Sequence, residues 1–367
     1  MRKICTVVGA RPQFIKLAVV SRVLRKDFQE VLIHTGQHYD YNMSDVFFKE
    51  MDIPEPDYNL GVSGGTHGQM TGRMIIQLEE VLLQERPDML LVFGDTNSTM
   101  AGALAAVKLG IPICHVEAGN RLGTLKNPEE ANRVVTDRIA ALHLVCTPSG
   151  VEFLNREGVF SSVHLVGDPM YDAFCYYSAR LDGTELRKIT NLDGQPVTLP
   201  ERFYYMTSHR QENTDQDEKL DQIFQAMEAL DLPTVYPVHP RNQARAARLC
   251  REQGYRKILL TLPVGYRTSI SLVNRSEKIV TDSGGLQREA FFARKPCVTI
   301  YDYVSWPETM AGRCNQLAKP EKEDILAKLN TPVSFSPSYQ PFGDGHAAEK
   351  TVDAIKRFFE GKGNVSE

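Results

Sequence analysis

The 367-residue sequence lacks several features that would place it in a specialised class of protein. Its seven cysteines are an odd, scattered set with no C-x-x-C spacing, which indicates reduced core residues rather than a disulfide framework. The formal charge of −4 gives no positive field for a nucleic-acid backbone or an anionic membrane surface. No signal-peptide pattern opens the chain, and no apolar run approaches membrane-spanning length. We therefore expect a cytosolic protein with no nucleic-acid partner and no membrane insertion.

The sequence does contain a repeated α/β pattern. The chain is long enough for two cores, and 42% of its residues are hydrophobic. Short β-branched runs alternate with amphipathic stretches from Lys3 to Asp168, and a second series of the same kind follows. Continuous apolar runs indicate strands that are buried on both faces of a parallel sheet. The amphipathic stretches predict helices that include 69–84, 129–142, 219–230, 242–252 and 286–294.

This pattern predicts two Rossmann-like α/β domains with parallel sheets and one cleft between them. The segment 181–201 is polar and rich in Gly and Pro, which is typical of a linker. We therefore expect an N-terminal domain over residues 1–180 and a C-terminal domain over residues 181–345. A final amphipathic helix is predicted over 346–360, and it is a candidate addition to the N-terminal domain.

Two carboxylates of the first half follow predicted strands directly. Asp95 comes after the apolar run MLLVF, and period-2 alternation places Glu117 on the same face of the next strand as His115. Ligands of open α/β sheets bind at the carboxyl ends of the strands, so carboxylates at neighbouring strand ends favour catalysis. A role as a helix N-cap is the alternative explanation for Asp95 alone.

Charged partners are predicted nearby. Arg11 and Lys16 lie at a helix start after the first strand and could meet an anionic ligand, although a solvated first turn would look the same. In the segment PEEANR, Glu129 and Arg133 lie four residues apart on one helical face, as a carboxylate oriented by a guanidinium would. An ordinary surface ion pair is the alternative.

The second half carries an anion-binding pattern at TDSGGLQREA. A turn of Ser283, Gly284 and Gly285 lies between an apolar strand and an amphipathic helix. Backbone N–H groups and the helix dipole converge on an anion there, and a diphosphate fits best. Glu289, about two turns into the helix, could reach a pair of ribose hydroxyls.

His209 and Arg210 end another predicted strand of the second half, in the segment TSHRQEN. A histidine at a strand end suits proton transfer or contact with phosphate. A structural histidine is the alternative, because a single histidine carries little information by itself.

Taken together in chain order, these segments resemble the non-hydrolysing UDP-N-acetylglucosamine 2-epimerases. The matching motifs are GARPQFIK, TGQH, GDTNST, HVEAG, PEEANR, VGD, SHRQEN, DSGGLQREA and GDGHAAEK, from residue 9 to residue 350. The resemblance implies a glycosyltransferase-B-like fold with the active site in the inter-domain cleft. It implies reversible C2 epimerisation of UDP-N-acetylglucosamine by anti elimination of UDP and re-addition through a 2-acetamidoglucal intermediate. It also implies a homodimer, with neither a nicotinamide cofactor nor a metal.

The resemblance further implies roles for individual residues. The implied acid/base carboxylates are Asp95, Glu117 and Glu129, and His209 is implied to assist near the diphosphate. The residues implied to bind nucleotide and phosphate are Arg11, Lys16, Arg133, Arg210, Ser283, Gly284, Gly285 and Glu289.

Departures from the family pattern leave the sugar open. GARPQ stands where GTRPE is usual, as in relatives that act on diacetamido uronic acids, and Trp306 and Asn120 stand where Arg and Leu are common. UDP-2,3-diacetamido-2,3-dideoxy-glucuronic acid is therefore an alternative substrate. A hydrolysing 2-epimerase that releases UDP and N-acetylmannosamine is another alternative, since water competes at the same intermediate. The full set of carboxylates disfavours a retaining glycosyltransferase and a catalytically silent UDP-sugar binder.

Overall fold

The chain divides into two α/β units, each with a parallel sheet. The computed structural model describes residues 1–37 and 47–363. The first unit consists of Met1–Cys175 and Gln340–Glu367, and the second of Tyr176–Tyr339. Strands and helices alternate along both units, so the predicted architecture of two Rossmann-like domains with parallel sheets is confirmed.

The sheet of the first unit has the order β3-β2-β1-β4-β5-β6-β7. Its core strands are almost fully buried, as expected for parallel strands covered on both faces. The strands are β1 (Lys3–Val8), β2 (Gln29–His34), β3 (Tyr58–Asn59), β4 (Met89–Phe93), β5 (Ile113–Val116), β6 (Leu142–Val145) and β7 (Val163–Leu165). The helices are α1 (Arg11–Leu24), α2 (His67–Glu85), α3 (Asn97–Lys108), α4 (Pro128–Ile139), α5 (Pro148–Arg156) and α6 (Pro169–Ser178).

The sheet of the second unit has the order β10-β9-β8-β11-β12-β13, with an apolar core that includes Phe224 and Tyr236. The strands are β8 (Tyr204–Thr207), β9 (Thr234–Pro237), β10 (Ile258–Thr261), β11 (Ile279–Thr281), β12 (Cys297–Ile300) and β13 (Asn315–Ala318). The helices are α7 (Gln211–Thr214), α8 (Asp217–Glu228), α9 (Gln243–Gln253), α10 (Tyr266–Arg275), α11 (Gly284–Phe292) and α12 (Lys322–Leu329), with 3-10 turns at Glu185–Lys188, Pro240–Asn242 and Pro307–Arg313.

The last helix, α13 (Ala347–Gly363), belongs to the first unit. Its first turn is fixed by Asp172 of α6, whose Oδ2 accepts the Ala348 N–H at 2.7 Å. Further along the helix, the Lys356 Nζ lies 2.8 Å from the carboxylate of Asp27. These contacts tie the end of the chain to segments far away in the sequence.

The polar segment 181–201 lies within the second unit rather than between the units. Glu185 is buried and pairs with Arg267 at 2.9 Å, and Asn191 forms a β-bridge with Thr261. The chain instead crosses between the units inside α6 and again before α13. A Gly- and Pro-rich composition fits such a surface segment as well as it fits a linker, because both keep their backbone near water.

Each sheet reverses its strand order at one place, between β1 and β4 in the first unit and between β8 and β11 in the second. Ligands of open α/β sheets bind outside the carboxyl ends of the strands at such switch points. Four of the charged and glycine-rich motifs, GARPQFIK, GDTNST, SHRQEN and DSGGLQREA, follow these strands, and HVEAG lies at the end of the neighbouring strand β5. Within the described ranges, no helix combines the length and apolar character needed to cross a membrane.

Candidate active site

Glu117 and Lys16 form a buried ion pair at the carboxyl edge of the first sheet. Glu117 follows β5, Lys16 lies in α1, and their charged groups are in direct contact. The two residues are 6% and 2% exposed, so water contributes little to screening the pair. Glu117 also has a backbone φ of +71°, which is uncommon for a residue other than glycine. Such backbone strain is concentrated at functional sites.

Asp95 is held by helix α4. The guanidinium of Arg133 contacts the Asp95 carboxylate directly, and Asn132 Nδ2 donates to the Asp95 carbonyl at 2.8 Å. The Asp95 side chain remains 24% exposed, whereas that of Arg133 is 9% exposed. The second strand-end carboxylate therefore has a fixed cationic partner and still reaches solvent.

Arg133 interacts with several carboxylates at once. Its Nη1 lies 3.2 Å from Glu130, in addition to its contact with Asp95. Burial by itself would lower the pKa of Arg133, but the negative charges of Asp95, Glu117 and Glu130 raise it above the usual value. Arg133 is thus a positive centre shared by the acidic residues of this edge.

The structure corrects the predicted pairing of Arg133 with Glu129. Arg133 contacts Glu130 and Asp95 instead, because Glu130 lies on the buried face of α4 with Arg133. Glu129 is partly exposed in the first turn, where its backbone N–H donates to the Asn127 side chain at 2.8 Å. Among residues 1–37 and 47–363, no side chain pairs with the Glu129 carboxylate.

Lys16 and Arg11 have different neighbours in the structure. Lys16 was predicted to meet an anionic ligand, but in the structure its ammonium group contacts the Glu117 carboxylate. Arg11 begins α1, is only partly buried, and lies over the Phe47 ring at 5.3 Å. Of the TGQH motif, His38 lies outside the described residues.

Gln13 is a positioning residue that sequence reasoning missed. Its Oε1 accepts the Gly9 and Ala10 N–H groups at 2.8 and 3.0 Å, and its Nε2 donates to the Phe93 carbonyl at 2.8 Å. The residue joins the segment after β1 to the end of β4. A Glu, which is usual here in the family that the sequence resembles, is an acceptor only when ionised and could not donate to that carbonyl. The GARPQ sequence was therefore a signal of this contact.

One group of buried side chains has the composition of a metal site. Glu117, Cys146 and Asp168 each offer a ligand atom, and these atoms lie within 4.8 Å of one another. Lys16 already pairs with Glu117, and Asp168 Oδ1 accepts the Met170 N–H at 2.9 Å. The two carboxylates therefore have partners within the protein itself.

In the second unit, Asp282 organises the segment that carries His209 and Arg210. Its buried carboxylate accepts the N–H groups of both residues at 2.9 Å. The His209 Nδ1 lies 3.2 Å from Asp282 Oδ1, and its side chain is 46% exposed. The Arg210 guanidinium lies 3.9 Å from the centre of the Tyr301 ring. Both predicted residues therefore have fixed backbones, and the His209 ring reaches solvent.

The glycine-rich turn has the predicted form of a strand, a turn and a helix N-terminus. Ser283 is the N-cap of α11, and its side chain accepts the Leu286 N–H at 3.3 Å. In the part of the chain that the structure describes, the only heavy-atom contact within 4 Å of a Cβ on Gly284 would be the Gln287 side chain, at 3.8 Å. Packing within the protein thus does not demand this glycine, and the space above it remains for a ligand. Gly285 follows Gly284 in the first turn of α11, and Glu289 is buried further along the helix.

The structure thus forms two groups of predicted residues. The first unit brings Asp95, Glu117, Lys16 and Arg133 to one sheet edge, with Glu129 at the start of α4. The second unit brings His209 and Arg210 next to Asp282, which precedes the glycine-rich turn.

Comparisons with known proteins identify relatives that match almost the whole chain. Residues 22–356 match the family described as UDP-N-acetylglucosamine 2-epimerase. The chain is 43% identical to a Methanococcus maripaludis protein named UDP-N-acetylglucosamine 2-epimerase homolog, over 96% of this chain and 99% of that protein. It is 40% identical to the UDP-2,3-diacetamido-2,3-dideoxy-D-glucuronate 2-epimerase of Pseudomonas aeruginosa, over 97% and 99%.

A solved structure gives the same result for the fold. The crystal structure of Methanocaldococcus jannaschii UDP-GlcNAc 2-epimerase in complex with UDP-GlcNAc and UDP matches with a TM-score of 0.87 and 35% identity. The match covers 97% of this chain and 99% of that one, which confirms the glycosyltransferase-B-like fold. The chain belongs to the UDP-N-acetylglucosamine 2-epimerase family.

Proposed function

We propose that the protein interconverts UDP-N-acetylglucosamine and UDP-N-acetylmannosamine without net hydrolysis. The observation that carries the proposal is the pairing of Glu117 with Lys16 and of Asp95 with Arg133 at neighbouring strand ends. Epimerisation needs a base on one face of the sugar and a proton donor on the other. A chain of this family with fixed carboxylates at one sheet edge has the groups for both tasks.

The reaction proceeds in two balanced halves. A carboxylate takes the C2 proton, the C2–H electron pair forms the C1–C2 double bond, and the C1–O bond breaks with UDP as leaving group. UDP then adds back to C1 of the 2-acetamidoglucal while a carboxyl group delivers a proton to the opposite face of C2.

Roles for the carboxylates follow from their partners. A cation in direct contact favours the ionised form of a carboxylate, so we assign proton removal to Glu117 beside Lys16. Asp95 lies against Arg133 and contributes the second fixed negative charge. Glu129 has no such cation among the described residues, and we assign to it proton exchange on the other face.

Binding of UDP is assigned to the second unit. The α11 N-terminus with Ser283, Gly284 and Gly285 supplies backbone N–H groups for the diphosphate. His209 and Arg210 add polar contacts to the leaving group. Glu289 is assigned to the ribose hydroxyls. In the first unit, Arg11 is proposed to contact phosphate.

Proton NMR of the protein with UDP-N-acetylglucosamine in heavy water tests the proposal. UDP-N-acetylmannosamine with deuterium at carbon 2 is the expected product, because the proton at C2 is exchanged with solvent during each turnover. Free N-acetylmannosamine and UDP would instead establish a hydrolysing enzyme. An unchanged spectrum would contradict activity on this substrate.

A second candidate substrate is UDP-2,3-diacetamido-2,3-dideoxy-glucuronic acid. The specific observation is the 40% identity to the Pseudomonas aeruginosa enzyme, which exceeds the 37% identity to a second Methanococcus maripaludis protein, named UDP-N-acetylglucosamine 2-epimerase. The same NMR experiment with this sugar decides between the two. A higher kcat/KM for the diacetamido substrate would make it the substrate of the enzyme.

We also propose a homodimer, on the resemblance alone. The chain has a mass of 41.2 kDa, so light scattering of the purified protein should give about twice that value. A mass equal to that of one chain would contradict the proposal.

A further inference from the structure

Asp137 forms a buried network with residues of the HVEAG segment. It lies in α4 and is 2% exposed. Its Oδ1 accepts from His115 Nδ1 at 2.6 Å, and its Oδ2 accepts from the Gly119 N–H at 3.0 Å and from Arg121 Nη1 at 2.7 Å. Three donors from the segment 115–121 therefore meet at one carboxylate of α4.

His115 extends this network to the segment that carries Asp95. The ring is fully buried, and its Nε2 donates to the Gly94 carbonyl at 2.7 Å. A carbonyl oxygen only accepts, and the carboxylate of Asp137 accepts at the other nitrogen, so the ring donates from both sides. His115 thus joins Asp137 to the residue directly before Asp95.

The three segments that Asp137 connects are those that carry the proposed acid/base groups. Asp95 follows Gly94, Glu117 lies between His115 and Gly119, and Glu129 is on the same helix as Asp137. We propose that Asp137 is a positioning residue that sets the relative placement of these three carboxylates through His115 and Gly119. The inference rests on the proposed function, because it concerns the same reaction.

The pKa shifts in this network keep Asp137 and Arg121 charged. Burial alone would raise the pKa of Asp137, but His115 and Arg121 hold it down at about 2. Burial would likewise lower the pKa of Arg121, yet Glu157 and Asp137 raise it above its usual value. An unpaired buried charge would be strongly destabilising, so each member requires the others. Asp137 therefore stays ionised over the whole range in which an enzyme of this kind is assayed.

The first test compares Asp137→Asn with a matched control, Glu30→Gln. Glu30 is also a buried carboxylate of the first unit, and it accepts from Thr6 Oγ1 and Arg25 Nε at 2.7 Å, away from the acid/base residues. A displacement of about 1 Å can cost about 100-fold in rate, so we expect kcat of Asp137→Asn to fall by about that factor. UDP affinity should stay within about twofold, because the proposed diphosphate site lies in the second unit.

A second test uses two variants of His115 and does not depend on whether Asp137→Asn folds. His115→Gln can place its Nε2 near that of histidine and keep the donor to Gly94, whereas His115→Asn places its Nδ2 near Nδ1 and keeps the donor to Asp137. Both variants replace the ring by a neutral amide, so a loss of stability alone should affect them similarly. Each variant breaks one of the two hydrogen bonds by which His115 joins Asp137 to the Asp95 segment, so we expect both to lose kcat by about the 100-fold expected for Asp137→Asn.

The outcomes separate this inference from the proposed function. Wild-type protein that leaves both candidate UDP-sugars unchanged in heavy water contradicts the proposed function. If the wild type epimerises, an Asp137→Asn variant that is no slower than Glu30→Gln contradicts the positioning role. A folded His115 variant with a kcat no lower than that of Glu30→Gln would also contradict it. Folding is checked in each case by circular dichroism and the thermal midpoint.

Discussion

The protein should be less stable at neutral pH with Asp172 than with asparagine, its neutral isostere, at the same position. Burial raises the pKa of this carboxyl from 3.8 to about 6, although the Ala348 and Ala347 N–H groups lower it in part. Its Oδ1 is buried and has no hydrogen-bond partner within residues 1–37 and 47–363, while its Oδ2 accepts the Ala348 N–H. The native state therefore holds the proton more tightly than the unfolded chain. The free energy of unfolding consequently falls as the pH rises from about 4 to about 6.

The magnitude follows from the shift in pKa. One unit corresponds to about 1.4 kcal/mol, so a shift of about two units gives an upper limit of about 3 kcal/mol above pH 7. Asp172→Asn removes the charge and keeps an oxygen for the Ala348 N–H. We expect it to raise the thermal midpoint at pH 7.5 by up to about 10 °C, at 2–4 °C per kcal/mol for a domain of this size. The gain should shrink towards zero near pH 4, where both side chains are neutral.

Calorimetry at pH 7.5, 6 and 4.5 measures this pH dependence. Asp172→Ala is the matched control, because it removes the charge together with the acceptor for the first turn of α13. It should gain less than Asp172→Asn at pH 7.5 and lose stability at pH 4.5. If Asp172→Asn is destabilised equally at every pH, the attraction of the charge to the helix N-terminus outweighs its burial, and the reasoning fails.

Three further predictions concern the site. Asp95→Asn and Glu117→Gln should each lower kcat at least about 100-fold with little change in UDP affinity by calorimetry, and retained turnover in both would contradict their assignment. Glu289→Ala should weaken UDP binding about tenfold or more, since a hydrogen bond to a charged group is lost, and an unchanged Kd would refute its ribose role. Asn120→Leu should raise the free energy of unfolding by about 1 kcal/mol in urea, because the buried Nδ2 has no hydrogen-bond partner among the described residues; a loss would refute this.

The secondary structure of the chain was largely predictable because it depends on local patterns. The stretch 69–84 was predicted as a helix, and the structure has His67–Glu85 with Thr66 as its N-cap. Strand ends were also predictable, because the apolar run MLLVF stops where a polar motif begins. The alternation of strands and helices then fixed which motifs share an edge of a parallel sheet.

Pairing between distant residues was much less predictable. Lys16 looks like a phosphate ligand in its helix, and only the fold shows that its ammonium meets Glu117. The network of Asp137 with His115 likewise joins residues that are 22 positions apart. The composition of 181–201 predicted a linker, whereas Glu185 of this segment pairs with Arg267 within the second unit. Sequence spacing predicts which residues are neighbours on one helix or strand, but it does not predict which residues pair between different elements.

The sequence of helix α4 nevertheless contained a signal that its buried face pairs with other charged segments. Its buried positions are all polar, namely Glu130, Asn132, Arg133, Thr136 and Asp137. A helix that turns charged side chains inward would be costly if it covered an apolar core, since each buried charge needs a partner. Charges at i, i+3 and i+7, as at Glu130, Arg133 and Asp137, therefore indicate a helix that faces other charged segments. Glu129 lies off this stripe, so Arg133 turns inward to Glu130 and Asp95 and leaves Glu129 at the surface of the site.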